Sequence, residues 1–351
     1  MTPETSHRSS NMELFRIVSM LLVMGYHWFG WLDFVCAGQY AEGNPLSELA
    51  MHIASSACVG CVDMFVLISG WFGIRLRLQK LWQLLFQVWF LSSCAYLLFI
   101  AFSGSVSFSP AFIVHIVLCD GYWFVPVYIV LFFLAPAVNG YVAQGSRRDV
   151  GLVIVALLVL QTVYGWLSPR ETGFLEGHSP LSFLILYIVA GYLRRFPCWL
   201  SSRHKRQLLL LFLAAVTANA LMACAGRWLA FPALGDMAYM YSSPLVIFAS
   251  VCMLLLFSKI NVRQSRLVNS MGASCFAIYL VHAFPYFIDL LYHPLAERLY
   301  MSLSVPLFLA ATIAVWAAIV AVSFLADRLR IAVFRVVSPI IIRDKGKNIP
   351  T

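Results

Sequence analysis

The sequence predicts an all-α fold: a polytopic integral membrane helical bundle of about ten transmembrane helices, with both termini on the cytoplasmic side. Of the 351 residues, 62% are hydrophobic and only 11% are charged, and the mean hydropathy is +0.85. Soluble domains carry about 25% charged residues. Apolar runs extend along the whole chain, which excludes a soluble protein with one anchor. Residues 1–351 are therefore predicted to form a single transmembrane domain.

Ten apolar segments approach the roughly twenty residues that a bilayer-spanning helix requires. The third and seventh are the clearest, whereas the fifth and sixth are short and suit tilted or partly re-entrant helices. Residues 107–119 are too short to span and predict an interfacial helix or a packed lid. The predicted spans are 12–32, 51–73, 80–103, 122–143, 150–167, 180–194, 207–225, 241–259, 272–292 and 303–326.

The basic residues predict the orientation of these spans. With a cytoplasmic N-terminus, 21 of the 24 lysines and arginines fall on the cytoplasmic side, and only Arg170, Arg227 and Arg298 fall outside. This asymmetry is typical of membrane proteins. It includes a basic tail, 327–351, that is expected to be peripheral. The net charge of +9 is spread over five loops and this tail, which favours contact with anionic membrane lipids and excludes nucleic acid as a partner.

The cysteines predict neither a metal site nor a redox centre. Their number, nine, is odd, and most lie within the predicted spans. Cys58 and Cys61 have the C-x-x-C spacing, but cysteine at lipid depth packs as a small hydrophobic residue.

Two ionisable residues share one face of the first span. Arg16 and His27 are eleven residues apart, which is three helical turns plus roughly 20°, and about 16 Å along the helix axis. Ionisable groups inside a membrane are costly and indicate function. The alternatives are that Arg16 extends to the membrane surface with Glu13 as its counter-ion, and that His27 is a hydrogen-bonded packing residue.

A carboxylate lies in the middle of the second span. Asp63 needs a partner at that depth, and His27 and Arg16 are the nearest candidates in sequence. A histidine oriented by a carboxylate is a common general base. We therefore predict that His27 and Asp63 are catalytic.

The end of the second span predicts an anion site. Ser69 and Gly70 form a small-residue pair, and Arg75 and Arg77 follow at the membrane border. Together with Arg16 these arginines suit a phosphate-bearing donor, because guanidinium binds phosphate through two hydrogen bonds. Ser69 is predicted to bind the same donor. The alternative for Arg75 and Arg77 is ordinary positive-inside charge.

Four further residues are predicted to bind a second substrate, which accepts the group that the phosphate-bearing donor carries. Asp120, Trp123 and Tyr128 open the fourth span, where aromatic rings beside a carboxylate suit the face and hydroxyls of a sugar. His282 is a second histidine within a span. The alternative for the aromatic residues is the interfacial belt. His115 and His178 are expected to be surface residues.

Four blocks of the sequence, in the same order, resemble the membrane-bound acyltransferase-3 family. Arg16 and His27 match its Arg-x10-His motif, and Val62 to Gly70 resemble its second-span motif. Glu13 departs from the aspartate of many members, and the opening Asn-x-Glu-Leu-x-Arg is most similar to the branch of surface-polysaccharide O-acetyltransferases. The other two blocks are Trp123-Phe-Val-Pro126-Val-Tyr128 with Pro136 and Asn139, and Ile278-Tyr279-Leu280-Val281-His282.

The resemblance implies transfer of an acyl group, usually acetyl, from cytoplasmic acyl-CoA to a hydroxyl of a surface or lipid-linked glycan, at the bacterial inner membrane and without a metal. It implies that Arg16, Arg75 and Arg77 hold the CoA phosphates and that His27 deprotonates the hydroxyl or first accepts the acyl group. Both routes fit the residues. The acceptor, the acyl group and the oligomeric state stay open.

Two other functions fit a bundle with buried Arg and His. A transporter or flippase for a polysaccharide intermediate or a small anion is the main alternative, and a sensor or scaffold is the third. The cytoplasmic arginines favour the enzyme, because a transporter needs no cluster that binds CoA.

Overall fold

The computed structural model describes residues 9–36, 45–102, 104, 107–168 and 173–341, and every regular element in these ranges is a helix. The first half contains α1 (Ser10–Gly25), α2 (Trp31–Cys36), α3 (Pro45–Val59), α4 (Cys61–Phe72), α5 (Leu78–Phe102), α6 (Pro110–Leu118), α7 (Phe124–Gln144) and α8 (Arg147–Gln161). The second half contains α9 (Pro180–Arg195), α10 (Lys205–Trp228), α11 (Pro232–Ala238), α12 (Pro244–Lys259), α13 (Arg266–His282), α14 (Pro285–Phe287), α15 (His293–Ser302) and α16 (Val305–Ile341).

Seven helical stretches in the described ranges are long and apolar enough to cross a membrane, which makes the chain a multi-pass membrane protein. An eighth is gained if α13 and the stretch Pro285–Ser302, bent by 65°, count as one span. The seven are Ser10–Val35, Glu48–Phe72, Leu78–Phe102, Phe124–Gln144, Arg147–Leu167, Lys205–Trp228 and Val305–Ser338.

The predicted count of ten is higher than this because three segments depart from full-length spans. The predicted sixth and eighth spans form α9 and α12, which have only 16 residues each. The predicted ninth span is interrupted before Pro285, whose missing N–H and fixed φ end a helix. Residues 107–119 contain the nine-residue helix α6, as their length predicted.

Helix α16 changes the prediction for the C-terminal tail. The helix continues to Ile341, so residues 327–341 form one continuous helix with the predicted last span. Asp327 is completely buried there, and it accepts hydrogen bonds from Gln87 and Arg330. Residues 342–351 lie outside the described residues.

Helix α1 lies at the centre of the packing and contacts α3, α4, α12 and α13. Glycine permits the close approach of α13, because a Cβ at Gly272 would collide with the Glu13 side chain. Gly70 does the same where α4 meets α9: its Cα faces the backbone of Tyr187. Small residues at such crossings are typical of membrane bundles. The packing fixes both ionisable residues of the first span inside the protein.

Candidate active site

Three cavities adjoin one another along the first span. The Arg16 cavity, of about 320 Å³, contains Arg16 in its wall. The throat, of about 30 Å³, shares Phe65, Phe124 and Phe276 with it. The Asp33 cavity, of about 630 Å³, shares Tyr26 and His27 with the throat. The arginine and the histidine of the first span therefore face one series of cavities between the helices.

His27 lies at the junction of the throat and the Asp33 cavity. It belongs to a five-residue π-helical turn, Tyr26–Gly30, that separates α1 from α2. Such π turns within α-helices frequently occur at functional sites, because they rotate the following side chains relative to the preceding helix. His27 is thus accessible from both neighbouring cavities.

A hydrogen-bonded pair of histidines fixes the proton on His27. His282 Nδ1 lies 2.6 Å from the carbonyl oxygen of Ile278, which can only accept, so Nδ1 carries the hydrogen. In a neutral ring, His282 Nε2 is then an acceptor. His27 Nδ1 lies 3.0 Å from it and must donate. The lone pair of His27 is consequently on Nε2, which is the arrangement that a general base needs.

This arrangement changes the expected role of His282. The side chain is fully buried and contributes to the wall of none of the three cavities, and its contact is with His27. No sequence periodicity could join these two histidines, because they are 255 positions apart.

The structure corrects the expected partner of His27. Among the described residues, no hydrogen bond or ion pair joins Asp63 to His27 or Arg16, and Asp63 Oδ2 is buried without a partner. Val62 and Phe65 line the throat from α4. Asp63 itself lines none of the three cavities.

The Arg16 cavity has a basic wall. Arg16 Nη1 donates to Glu13 Oε1 at 2.9 Å, the local ion pair that its i, i+3 spacing allows, and Lys80 and Arg330 line the same cavity. Arg330 Nη2 is 2.6 Å from Asp327 Oδ1. The third cation therefore comes from the continuation of α16 beyond the predicted span.

Arg75 and Arg77 do not complete the predicted anion site. Both are exposed, in the connector between α4 and α5, and neither lines the Arg16 cavity. The reason is the end of α4: Gly73, at φ 74°, turns the chain out of the helix, and residues 73–77 run along the surface.

The predicted acceptor residues at the start of the fourth span point to three different places. Trp123 lines the throat and stacks on Tyr241, with ring centroids 5.8 Å apart. Tyr128 lines the Arg16 cavity, where its hydroxyl is 3.2 Å from Ser69 Oγ, so it belongs with Ser69 and not with the acceptor. Asp120 is exposed in the turn before α7 and accepts from His115 Nδ1 at 2.9 Å.

Several residues of the site were not predicted. Asp33, His52 and Tyr239 meet in the wall of the Asp33 cavity. His178, expected at the surface, is half-buried against Trp123, with ring centroids 4.5 Å apart. Glu48 and His52 are four positions apart and therefore share one helix face, and this spacing could have indicated His52 as a site residue. Within the described ranges, no group of three or more His, Cys, Asp or Glu residues is arranged to hold a metal ion.

Comparison with known proteins gives one family. A family model described as an acyltransferase domain matches residues 9–326. No curated protein and no solved structure gives a significant match. The matched range covers most of the chain, including Arg16 and the paired histidines. The chain therefore belongs to the acyltransferase-3 family of membrane proteins.

Proposed function

We propose that this membrane acyltransferase moves an acetyl group from cytoplasmic acetyl-CoA to a hydroxyl of a surface or lipid-linked glycan, at the bacterial inner membrane. The observation that supports this proposal is the position of His27, which lines both the larger cavity with polar walls and the throat that adjoins the cavity with a basic wall. Two substrates can thus approach one base from opposite sides.

The basic wall supports the Arg16 cavity as the donor site. Among the described residues, only Nη1 of the Arg16 guanidinium is hydrogen-bonded, so its other nitrogens are available to phosphate oxygens. Lys80 and Arg330 add two cations. At about 320 Å³, the cavity is at the lower end of ligand-site volumes, which suits the extended pantetheine arm of the donor better than the whole molecule.

The histidine pair supports direct transfer. His27 Nε2 removes the proton from the acceptor hydroxyl while that oxygen attacks the thioester carbonyl carbon. The carbon–sulfur bond then breaks, the electron pair leaves with the CoA sulfur, and the His27 imidazolium returns the proton to it. His282 stabilises the imidazolium through the hydrogen bond from His27 Nδ1. An acyl group on His27 Nε2 would use the same lone pair and stays the alternative route.

The test is acetyl transfer by membranes that contain the full chain, supplied with radiolabelled acetyl-CoA. His27→Ala is expected to lose about 10²- to 10⁴-fold of the label in the saccharide fraction, the usual contribution of a general base. His115→Ala is the matched control, because His115 is an exposed histidine outside the three cavities. Labelling by the His27→Ala protein at the wild-type rate contradicts the proposal.

The same experiment distinguishes the enzyme from a transporter. A transporter or flippase moves an intact saccharide and leaves acetyl-CoA unchanged. Free CoA that appears in step with labelled saccharide supports the acyltransferase, whereas saccharide transport without CoA release supports the transporter.

A further inference from the structure

A second cluster of titratable side chains lines the Asp33 cavity next to His27. Asp33 Oδ2 accepts from the Tyr239 hydroxyl at 2.7 Å and from His52 Nδ1 at 2.9 Å. The three residues come from α2, from α3 and from the segment after α11. They form a rigid polar wall within the largest of the three cavities.

Among the described residues, nothing donates to the second oxygen of this carboxylate. Asp33 is only 6% exposed, and its Oδ1 atom is buried without a hydrogen bond among the described residues. An unsatisfied buried acceptor costs free energy, and more so when it is charged. Because Asp33 borders the cavity, a small rotation of its carboxyl group towards a bound molecule would let a hydroxyl group supply the missing donor.

The charges of this wall select against anions. Asp33 and Asp236 both line the cavity. Its arginine, Arg227, is engaged with the carboxylate of Glu48, at 3.2 Å. Together with Glu48, the two aspartates outnumber the one guanidinium at this wall, so carboxylate charge exceeds guanidinium charge there. A carboxylate or phosphate group on the ligand would be repelled by these carboxylates at short range.

An aromatic surface completes the cavity. Trp31 lines it and stacks on the His293 ring, with centroids 4.1 Å apart and planes within 2° of parallel. Its indole N–H donates to Glu297 at 2.7 Å, which fixes the orientation of the ring. An aromatic surface and hydrogen-bond acceptors in the wall of one cavity suit a sugar ring, which has apolar C–H faces and hydroxyl edges.

We infer that the Asp33 cavity is the acceptor site and that it accepts an uncharged sugar ring. One ring hydroxyl donates to Asp33 Oδ1, and a neighbouring hydroxyl is thereby held towards His27 Nε2. Tyr239 and His52 are positioning residues that keep Asp33 in place. This inference rests on the proposed function, and it adds that uronic acids, sialic acids and phosphorylated sugars are rejected at the acetylated ring.

The test uses the purified full chain with radiolabelled acetyl-CoA and a matched pair of acceptors, methyl glucoside and methyl glucuronide. Wild-type protein is expected to acetylate the neutral glycoside at least about tenfold faster. Asp33→Asn, which keeps the shape of the side chain, is expected to lower that rate at least about tenfold, while the affinity for acetyl-CoA measured by calorimetry is unchanged. Asp149→Asn, at an exposed helix start, is the control.

Each result has one meaning. Equal rates for the two glycosides, or a wild-type rate for Asp33→Asn, overturn the inference. A wild-type protein that neither binds acetyl-CoA nor releases CoA overturns the proposed function instead. If neither glycoside is used, mass spectrometry of the acetylated native saccharide decides: an acetyl ester on a neutral ring supports the inference and one on an acidic ring overturns it.

A second variant covers the possibility that Asp33→Asn fails to fold. Tyr239→Phe keeps the ring and removes one donor to Asp33. It is expected to raise the acceptor KM about three- to tenfold with an unchanged acetyl-CoA KM. An unchanged acceptor KM in a folded Tyr239→Phe protein contradicts the role given to this cluster.

Discussion

His282 Nε2 accepts a hydrogen bond from His27 Nδ1 at 3.0 Å, and this single contact determines which nitrogen of His27 is available for chemistry. The orienting group is neutral, unlike the carboxylate of the more familiar histidine dyads. It is anchored by a helix carbonyl, that of Ile278. The orientation of the base therefore depends on helix α13 keeping its register.

Replacing His282 tests this dependence. His282→Leu removes the acceptor, so His27 loses both its orientation and the support of its cationic form, and kcat is expected to fall at least about tenfold, a part of the usual contribution of a general base. His282→Gln can still present an oxygen to His27 Nδ1 and is expected to retain more of kcat. Steady-state rates at saturating acetyl-CoA measure the difference, and equal rates for the two variants exclude the orienting role.

Mutations can distinguish the cations of the Arg16 cavity, the proposed donor site, from the arginines at the surface. Arg16→Ala and Lys80→Gln are each expected to raise the KM for acetyl-CoA by about tenfold or more, because both side chains line the Arg16 cavity and a charged hydrogen bond contributes about 1.5–3 kcal/mol. Arg75→Ala is expected to leave KM unchanged, since Arg75 is exposed outside the cavity. A larger effect of Arg75→Ala than of Lys80→Gln would restore the anion site that the sequence predicted.

The contact between α4 and α9 is sensitive to one methyl group. A Cβ at Gly70 would lie 2.8 Å from the Tyr187 Cα, so Gly70→Ala forces the two helices apart. Overpacking of this kind costs about 1–3 kcal/mol, and the melting temperature of the purified protein is expected to fall. Gly140→Ala is the control in another helix, because nothing lies within 4 Å of its Cβ position, and it is expected to melt no lower than wild type.

The buried ion pair of α16 is expected to be essential for stability. Asp327→Ala leaves the Arg330 guanidinium, which is 8% exposed, without its carboxylate. Removing one partner of a buried pair costs about 3–5 kcal/mol. Detergent-resistant folded yield and melting temperature are the measurements, with Arg335→Gln, on the exposed part of the same helix, as the control. A peripheral tail would tolerate both changes equally.

His178 is expected to make the protein less stable in acid. Burial lowers the pKa of His178 from its usual 6.5, although the Leu175 carbonyl and Glu176 partly oppose this effect. The unfolded chain therefore binds a proton at higher pH than the folded chain does. This contribution to stability is present above pH 6.5 and is lost as the pH falls through the lowered pKa. His178→Gln should show a smaller decrease in melting temperature between pH 8 and pH 5 than wild type, while His115→Gln should not differ from it.

Local periodicity was sufficient to predict the helical class and the first span. Arg16 and His27 were selected because eleven positions along one span predict a shared direction, and the structure places the two residues in the walls of adjoining cavities. Trp123 was also predicted within the site. Each of these predictions depends on a single segment of the chain, so the sequence of that segment is sufficient to make it.

The partners of these residues could not be predicted in the same way. His282, Arg330 and Tyr239 reach the site from distant segments, and their positions depend on how α13, α16 and the chain after α11 pack. Asp63 was predicted to be the partner of His27 because the two residues lie in consecutive spans. Closeness in sequence does not determine which side chains pack together. Asp120 and Tyr128, eight positions apart, were assigned to one surface although the turn before α7 directs them to different places.

The narrow throat has a consequence for the cell as well as for the reaction. A passage that joins cavities across the depth of a bilayer is a potential leak for protons and small ions, and a leak would dissipate the electrochemical gradient on which the membrane depends. At about 30 Å³ the throat has room for no more than a few water molecules, too short a file to hydrate a crossing ion, and aromatic side chains form much of its wall. The proposed acyl transfer would take place at this point without making the membrane permeable to ions.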